Sequence, residues 1–241
     1  MEIRHGAPFV GYEKGAGTVD PGQGGGTMPT RALAAIFAAL VPVLGAAQES
    51  GSLQIDAAKG TISFAARVAK FDQYEQLKGA IEYLVVMPGG KEYESVFVAP
   101  LDPIALYEGL KKIGVEPGKS GSNEQKTPPE GGRLRLWVEW KDGDKDRREP
   151  AETFVLDVLS GKPMEVKPWV FTGSREVFNP AEGKMTLGVL NTKNVIALYH
   201  NDATVLVQPS SLAKDPHQFK VNKPAVPREG TPVRIVLEAV K

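Results

Sequence analysis

The segment Arg133–Trp140 most constrains the fold, because its apolar and polar residues alternate without interruption. Leu134, Leu136, Val138 and Trp140 share one face of an extended chain, and Arg135, Trp137 and Glu139 share the other. A helix would scatter these side chains around its axis, so the pattern indicates a β-strand with one buried face. It also predicts that one of Trp137 and Trp140 enters the core and the other faces outward.

Several further segments carry strand and turn signals. Leu53–Ala66 is predicted to form a hairpin that turns at Ala58-Lys59-Gly60, and Asp142-Gly143 marks a hairpin after the alternating strand. Ile81–Met87 and Ser95–Ala99 are expected to form a second strand pair around the turn Pro88-Gly89-Gly90. "PWVF", "NVIALYH" and "TPVRIVLEAV" are predicted core strands.

One helix is predicted with its boundaries, over residues 102–113. Asp102 is a suitable N-cap, Pro103 suits the first helical position, and Gly114 suits a left-handed end. The predicted fold class is therefore α+β: a single domain with a largely antiparallel sheet and this helix packed on it.

Residues 28–47 resemble a secretory signal peptide. Arg31 supplies the positive charge, an apolar run follows from Ala32 to Leu44, and Gly45-Ala46-Ala47 favours cleavage between Ala47 and Gln48. The run is shorter than the roughly 20 residues of a bilayer-spanning helix. We expect an exported, periplasmic or extracellular domain over residues 48–241, without a membrane span after cleavage.

Residues 1–27 are rich in glycine and lack a periodic apolar pattern. Two interpretations remain open: either Met28 is the true start and the preceding residues are spurious, or they form a disordered leader.

Charge and cysteine content exclude several classes of function. The chain carries 29 basic and 29 acidic residues, so it lacks the positive charge typical of nucleic-acid-binding domains. It contains no cysteine, which excludes disulfides, thiol catalysis and cysteine-ligated metal clusters. No cofactor is expected.

Few residues are candidates for chemistry. Glu92 and Glu94 are predicted to share one face of a strand, a geometry compatible with acid–base catalysis or with simple solvation. His200 and His217 lack the short spacing of zinc ligands, so no metal site is predicted. Ser174 is a nucleophile only if His200 lies close to it. Otherwise Ser174 serves as a turn or cap residue, and replacing it with alanine would cost little stability.

Several stretches resemble the YdjY-like family, which comprises exported bacterial proteins of uncharacterised function. They are "IEYLVV", "KEYESVFV", "LDPIALYEGLKKIGVEPG", "LRLWVEW", "SGKPMEVKPWVFTGS" and "NVIALYHNDATVLVQPSS". The resemblance covers most of Ile81 to Ser211. The family commonly has His-Glu-Ser where this chain has Tyr93-Glu94-Ser95, so the resemblance supplies no imidazole and no catalytic residue.

These observations favour a non-enzymatic module that binds a small molecule or an envelope protein. The candidate binding residues are Tyr93, Glu94, Ser95, Trp169 and Ser174. Trp169 or Phe171 is expected to face the core, and Ser174 is expected on a rim near Tyr93–Ser95. Two alternatives remain: an enzyme or metal-assisted protein that uses Glu94, Ser95, Ser174 and His200, and a purely structural envelope component.

Overall fold

The computed structural model describes residues 52–71, 73, 79–122, 127–209 and 218–240, and the elements below lie within these ranges. The strands are β1 Gln54–Asp56, β2 Thr61–Val68, β3 Tyr83–Val86, β4 Ser95–Val98, β5 Arg133–Asp142, β6 Lys145–Pro150, β7 Val155–Asp157, β8 Lys162–Pro163, β9 Trp169–Phe171, β10 Glu176–Asn179, β11 Lys184–Leu187, β12 Asn194–Ala197, β13 Leu206–Val207, β14 Phe219–Val221 and β15 Pro232–Ala239. The helices are α1 Pro103–Lys112 and α2 Gly188–Thr192, and two 3-10 turns span Glu92–Glu94 and Ala151–Phe154. The predicted signal peptide, its cleavage site and the leader lie outside the described residues.

Eight strands close into a β-barrel. Their order is β2-β15-β5-β9-β13-β12-β3-β4, and β4 pairs back with β2 through Arg67↔Val98 and Val68↔Phe97. β1 and β6 extend the barrel sheet beside β2 and β5, while β14-β7-β8 and β10-β11 form two separate small sheets. The predicted α+β fold, with a sheet packed against a main helix, is therefore wrong: the sheet buries its apolar face mainly by closing on itself.

The interior of the barrel is filled by alternating side chains, as expected for a barrel of this strand number. Along β5, Leu134, Leu136 and Val138 are buried, whereas Arg135 is exposed, as the alternation predicted. Trp140 packs against the same apolar cluster, and Trp137 donates from Nε1 to Glu238 on the outer face at 2.8 Å.

The predicted helix forms, but it covers one end of the barrel. Asp102 caps α1 by accepting a hydrogen bond from the Ile104 N–H at 2.8 Å, and Gly114 follows the helix with a φ of +82°. Leu106 and Leu110 join the interior cluster, and the Tyr107 ring lies edge-on to Phe171, the last residue of β9, at 5.3 Å. The helix thus closes the end at which β9 and β4 finish.

Ile81–Met87 and Ser95–Ala99 do pair, but they do not form a hairpin in which the second strand returns directly from the turn Pro88-Gly89-Gly90. β3 and β4 are parallel neighbours, with Tyr83 opposite Ser95 and Val86 opposite Val98. The segment after Pro88-Gly89-Gly90 therefore returns along the barrel before β4 begins, and the 3-10 turn Glu92–Glu94 lies in this return. Within the described ranges, no helix is long and apolar enough to cross a membrane.

Candidate functional site

The candidate binding residues occupy opposite ends of the barrel. Tyr93–Ser95 precedes and begins β4, and Trp169 begins β9 at that same end, as the strand registers show. Ser174 follows the finish of β9 and therefore lies at the other end. The expected rim that joins Ser174 to Tyr93–Ser95 does not form.

Glu92 and Glu94 do not share a strand face. They lie in the 3-10 turn before β4 together with the half-buried Tyr93, and each carboxylate faces its own cation. The Arg67 guanidinium lies 2.7 Å from Glu92 Oε2, and the Gly89 N–H donates to Glu92 Oε1 at 3.0 Å. Burial acts to raise the pKa of Glu92, but the Gly89 and Arg67 hydrogen bonds outweigh it and lower the pKa below its usual range.

Lys91 binds two carboxylates at once. Its Nζ lies 2.6 Å from Glu82 Oε2 and 2.9 Å from Glu94 Oε2, and both glutamate side chains are largely buried. Burial acts to lower the pKa of Lys91, but the hydrogen bonds to Glu82 and Glu94 outweigh it, so the pKa is raised and the amine stays charged. The Lys91 ammonium group thus joins the carboxylate that precedes β3 to the carboxylate that precedes β4.

Two tyrosines and an asparagine extend this charged cluster. The hydroxyls of Tyr83 and Tyr199 are 3.0 Å apart, and Asn201 Nδ2 donates to Tyr199 at 2.8 Å and to Tyr83 at 3.3 Å. Burial raises the pKa of Tyr83 far above its ordinary value, and the contacts with Tyr199 and Glu82 raise it further. We call Glu82, Tyr83, Lys91, Glu94, Tyr199 and Asn201 the Lys91 network. It spans three neighbouring strands, β4, β3 and β12.

The two candidate serines bind backbone groups. Ser95 is fully buried, and its Oγ donates to the Glu92 carbonyl at 2.9 Å. Ser174 Oγ donates to the Ala203 carbonyl at 2.9 Å and accepts from the Val189 N–H in the first turn of α2 at 3.1 Å. The interpretation of Ser174 as a turn and cap residue agrees with these contacts.

Trp169 lies inside the barrel with no exposed surface, and Phe171 is equally buried, so the predicted core position is confirmed for both. The Trp169 Nε1–H donates to Glu152 Oε1 at 2.8 Å. Glu152 is itself only 2 % exposed, and this burial raises the pKa of its carboxyl group, against the opposing effect of hydrogen bonds from backbone N–H groups and Trp169.

His200 lies beside the loop that follows α1. A Cβ added at Gly121 would lie 2.9 Å from both Cε1 and Nδ1 of the imidazole, so the ring packs directly on that backbone. His217 lies outside the described residues. Among the residues that the structure describes, no three His, Asp or Glu side chains are grouped so that they could hold a metal ion.

Two surface grooves lie away from these residues. One, of about 270 Å³, lies near the end of α1 between Gly60, Ile113, Arg133 and Val240. The other, of about 220 Å³, lies on the small sheet and is lined by Leu156, Lys220, Val221 and Pro224 among others. Both are smaller than the roughly 300–1,000 Å³ that drug-sized ligands occupy.

Sequence reasoning missed most of the Lys91 network and also Glu152. Glu82 and Glu94 each stand immediately before a buried strand, and only the parallel pairing of those strands brings the two carboxylates to one lysine. The available signal was the glutamate that precedes each of the two strands. If Ile81–Met87 and Ser95–Ala99 are taken as a parallel pair, this repeated glutamate predicts that the two carboxylates lie close together.

The family model described as the YdjY domain matches residues 53–238, which span most of the chain and include all the candidate binding residues. No curated protein and no solved structure is similar enough to match.

Proposed function

The chain belongs to the YdjY domain family, and from that premise we propose that its domain is a non-enzymatic binding module of the cell envelope whose partner is a protein. The function of this family is uncharacterised. The proposal rests on how the polar side chains of the described residues are used.

The observation that carries the proposal is the separation of the residues that an enzyme would need. Glu94 and Ser95 lie at one end of the barrel and Ser174 at the other. A serine nucleophile needs its base within about 3 Å, and both hydroxyls are instead engaged with backbone groups. This arrangement favours binding over the alternative in which Glu94, Ser95, Ser174 and His200 form a catalytic site.

A protein partner is favoured over a small molecule. The barrel interior is occupied by core side chains such as Trp169, Phe171 and Leu136. The two grooves described above are small and open, so neither would enclose a ligand in the way that binding sites usually do. Protein partners, by contrast, use broad surfaces with a few exposed aromatic and charged residues.

Within this proposal, Tyr93 and Glu94 belong to the contact surface. Both keep part of their surface accessible, and the ion pairs of Lys91 hold the turn that carries them in one geometry. Ser95 and Trp169 support the barrel beneath that surface, whereas Ser174 supports the opposite end of the barrel. Export to the envelope is proposed from the signal-like residues 28–47.

Site-specific photo-crosslinking tests the proposal. A photoreactive phenylalanine analogue in place of Tyr93 replaces one aromatic ring with another, and the purified protein is incubated with an envelope fraction of the source cell. We expect one protein adduct of defined mass. The same analogue at Lys112, which is exposed at the opposite end of the barrel, serves as the matched control and should give no such adduct.

Two results would contradict the proposal. One is the absence of an adduct that is specific to position 93, which would favour the purely structural alternative. The other is a turnover activity that Glu94→Gln and Ser174→Ala both abolish while circular dichroism shows an intact fold. That result would support the enzyme alternative.

A further inference from the structure

The hairpin β10–β11 displays an apolar pair outside the barrel. Its two strands form their own sheet, and Phe178 and Met185 lie directly opposite each other in the register. Phe178 is 60 % exposed and Met185 is 53 % exposed. An exposed aromatic residue beside an exposed methionine is typical of contact surfaces rather than of solvent-facing hairpins.

Both ends of the hairpin are held firmly. At the turn, Asn179 Oδ1 accepts from the Ala181 N–H at 3.0 Å, and the Asn179 carbonyl accepts from the Gly183 N–H at 2.9 Å. At the base, the Gly188 N–H donates to the Arg175 carbonyl at 2.8 Å, and the Arg175 side chain pairs with Asp202 at 3.3 Å. The apolar pair is therefore presented in a fixed geometry.

The hydrogen bond from Gly188 to Arg175 also sets which backbone groups face outward. Arg175 and Gly188 therefore form a hydrogen-bonded pair of the ladder. In antiparallel strands such pairs alternate with non-hydrogen-bonded pairs, whose N–H and C=O groups point away from the partner strand. Glu176 and Phe178 therefore turn their N–H and C=O groups away from β11. Across the described residues, these groups have no backbone partner, so β10 presents an open strand edge.

We propose that this edge pairs with β10 of a second copy of the chain, antiparallel and centred on Phe178. In that register Phe178 faces Phe178 of the second copy, and Val177 faces Asn179. The outward N–H and C=O groups of the two Phe178 residues then bond to each other. Met185, Phe178 and their two symmetry equivalents form one apolar row across a four-stranded sheet.

Charge favours a second copy as the occupant. In this register Glu176 faces Pro180 and Arg175 faces Ala181, so no like charges stand opposite each other. Arg175 is already paired with Asp202, and Lys184 with Glu182 at 2.8 Å, which leaves little net charge beside the apolar row. A two-fold contact of this kind is self-complementary and closes after two copies.

The contact is short, because β10 contains only Glu176–Asn179. Interfaces this small belong to transient complexes, so we expect a dissociation constant on the order of 100 μM. Sedimentation equilibrium of the purified protein between about 10 μM and about 1 mM should show the average mass rising towards that of a dimer.

Phe178→Lys should abolish this rise, because it removes the apolar contact and places two ammonium groups opposite each other. Leu159→Lys is the matched control. Leu159 is 78 % exposed on the separate turn after β7, so its replacement makes the same chemical change away from β10 and should leave dimerisation as in the parent protein. The dissociation constant should differ at least tenfold between the two variants.

A second measurement uses the absence of cysteine from the chain. Hydrogen-bonded antiparallel partners have Cα atoms about 5.5 Å apart, which suits a disulfide. Phe178→Cys should therefore form a covalent dimer on mild oxidation much faster than Leu159→Cys. A monomer at all concentrations, a dimer that survives Phe178→Lys, or equal cross-linking of the two cysteine variants would each overturn the proposal.

Discussion

At the scale of single residues, Ser174 and Glu152 show how the barrel uses buried polar groups. Ser174 is 7 % exposed and has a φ of 62°, a left-handed conformation that side-chain-bearing residues rarely adopt. Its hydroxyl joins the segment after β9 to α2 and to Ala203, and these bonds hold the unfavourable backbone in place. Its role in this geometry is to connect three segments.

We predict that Ser174→Ala destabilises the protein by about 1–3 kcal/mol, because it leaves the Ala203 carbonyl and the Val189 N–H buried without their partner. This revises the small cost expected from the sequence. Ser174→Gly loses the same bonds but relieves the left-handed backbone, so it should retain about 1 kcal/mol more stability than Ser174→Ala. Urea denaturation measures both, and a glycine variant less stable than the alanine variant would contradict this account.

Glu152 should make stability depend on pH. Its pKa is raised in the folded protein, so the unfolded chain loses the proton first as pH rises from the ordinary pKa of a glutamate. Ionisation then favours the unfolded state, and the free energy of unfolding falls until the folded-state pKa is passed. Glu152→Gln keeps an oxygen acceptor for Trp169 and removes the titration.

The predicted result is a variant whose stability, relative to the parent protein, improves as pH rises through this window. Urea denaturation at several pH values between about 4 and 8 measures the difference in the free energy of unfolding between the variant and the parent protein. The change of this difference with pH, rather than its value at any single pH, tests the prediction. Parallel curves for the two proteins would show that Glu152 keeps an ordinary pKa in the fold.

At the scale of elements, the parallel neighbours β3 and β4 are joined by a short segment and held by the Lys91 network. Glu82 precedes β3, Glu94 precedes β4, and Lys91 lies in the connection between these strands. The lysine therefore links the starts of two strands whose own ladder is short. This gives the turn around Tyr93 its fixed position beside the barrel.

We expect Lys91→Met to cost about 1–2 kcal/mol, because two largely buried carboxylates then face each other without a cation. Lys59→Met is the matched control. Lys59 pairs with Asp56 at 3.0 Å, but both side chains are well exposed, so the loss of this pair should cost much less stability than the loss of Lys91. Equal costs for the two variants in thermal or urea unfolding would show that the network adds no stability of its own.

At the scale of the whole molecule, the barrel has one strongly paired side and one weakly paired side. β15 shares seven register pairs with β2 and six with β5. By contrast, β9 shares two with β5 and two with β13, and the closing contact between β2 and β4 also has two. Long ladders open cooperatively, whereas short ladders open locally at a smaller free energy.

Amide hydrogen exchange should reveal this asymmetry. We predict that Ile235 and Leu237 in β15 exchange only through global unfolding. Ala69, whose N–H bonds to the Val96 carbonyl beside the closing contact, should exchange earlier. The comparison is informative because Ala69 is as fully buried as the other two residues. Uniform protection across the three amides, measured by NMR, would show that the barrel opens as a single unit.

Part of the candidate site was accessible from the sequence and part was not. The sequence pointed to Tyr93–Ser95 and to Ser174, and the structure shows both within hydrogen-bonded or charged clusters. Their partners Lys91, Glu82, Ala203 and Val189 were not identified. Each of these contacts depends on which strands become neighbours, and strand neighbours are set by register over long sequence separations.

By itself, the sequence determined the local structure and the family. Alternation predicted the buried face of β5, capping residues predicted the limits of α1, and Gly143 predicted the β5–β6 turn, because each follows from side-chain period or backbone freedom within a few residues. Only the tertiary structure decided that the sheet closes into a barrel, that β3 and β4 run parallel, and that Ser174 and Ser95 lie at opposite ends. A strand with one apolar face has the same sequence pattern whether a helix or the far wall of a barrel covers that face, so closure depends on long-range pairing.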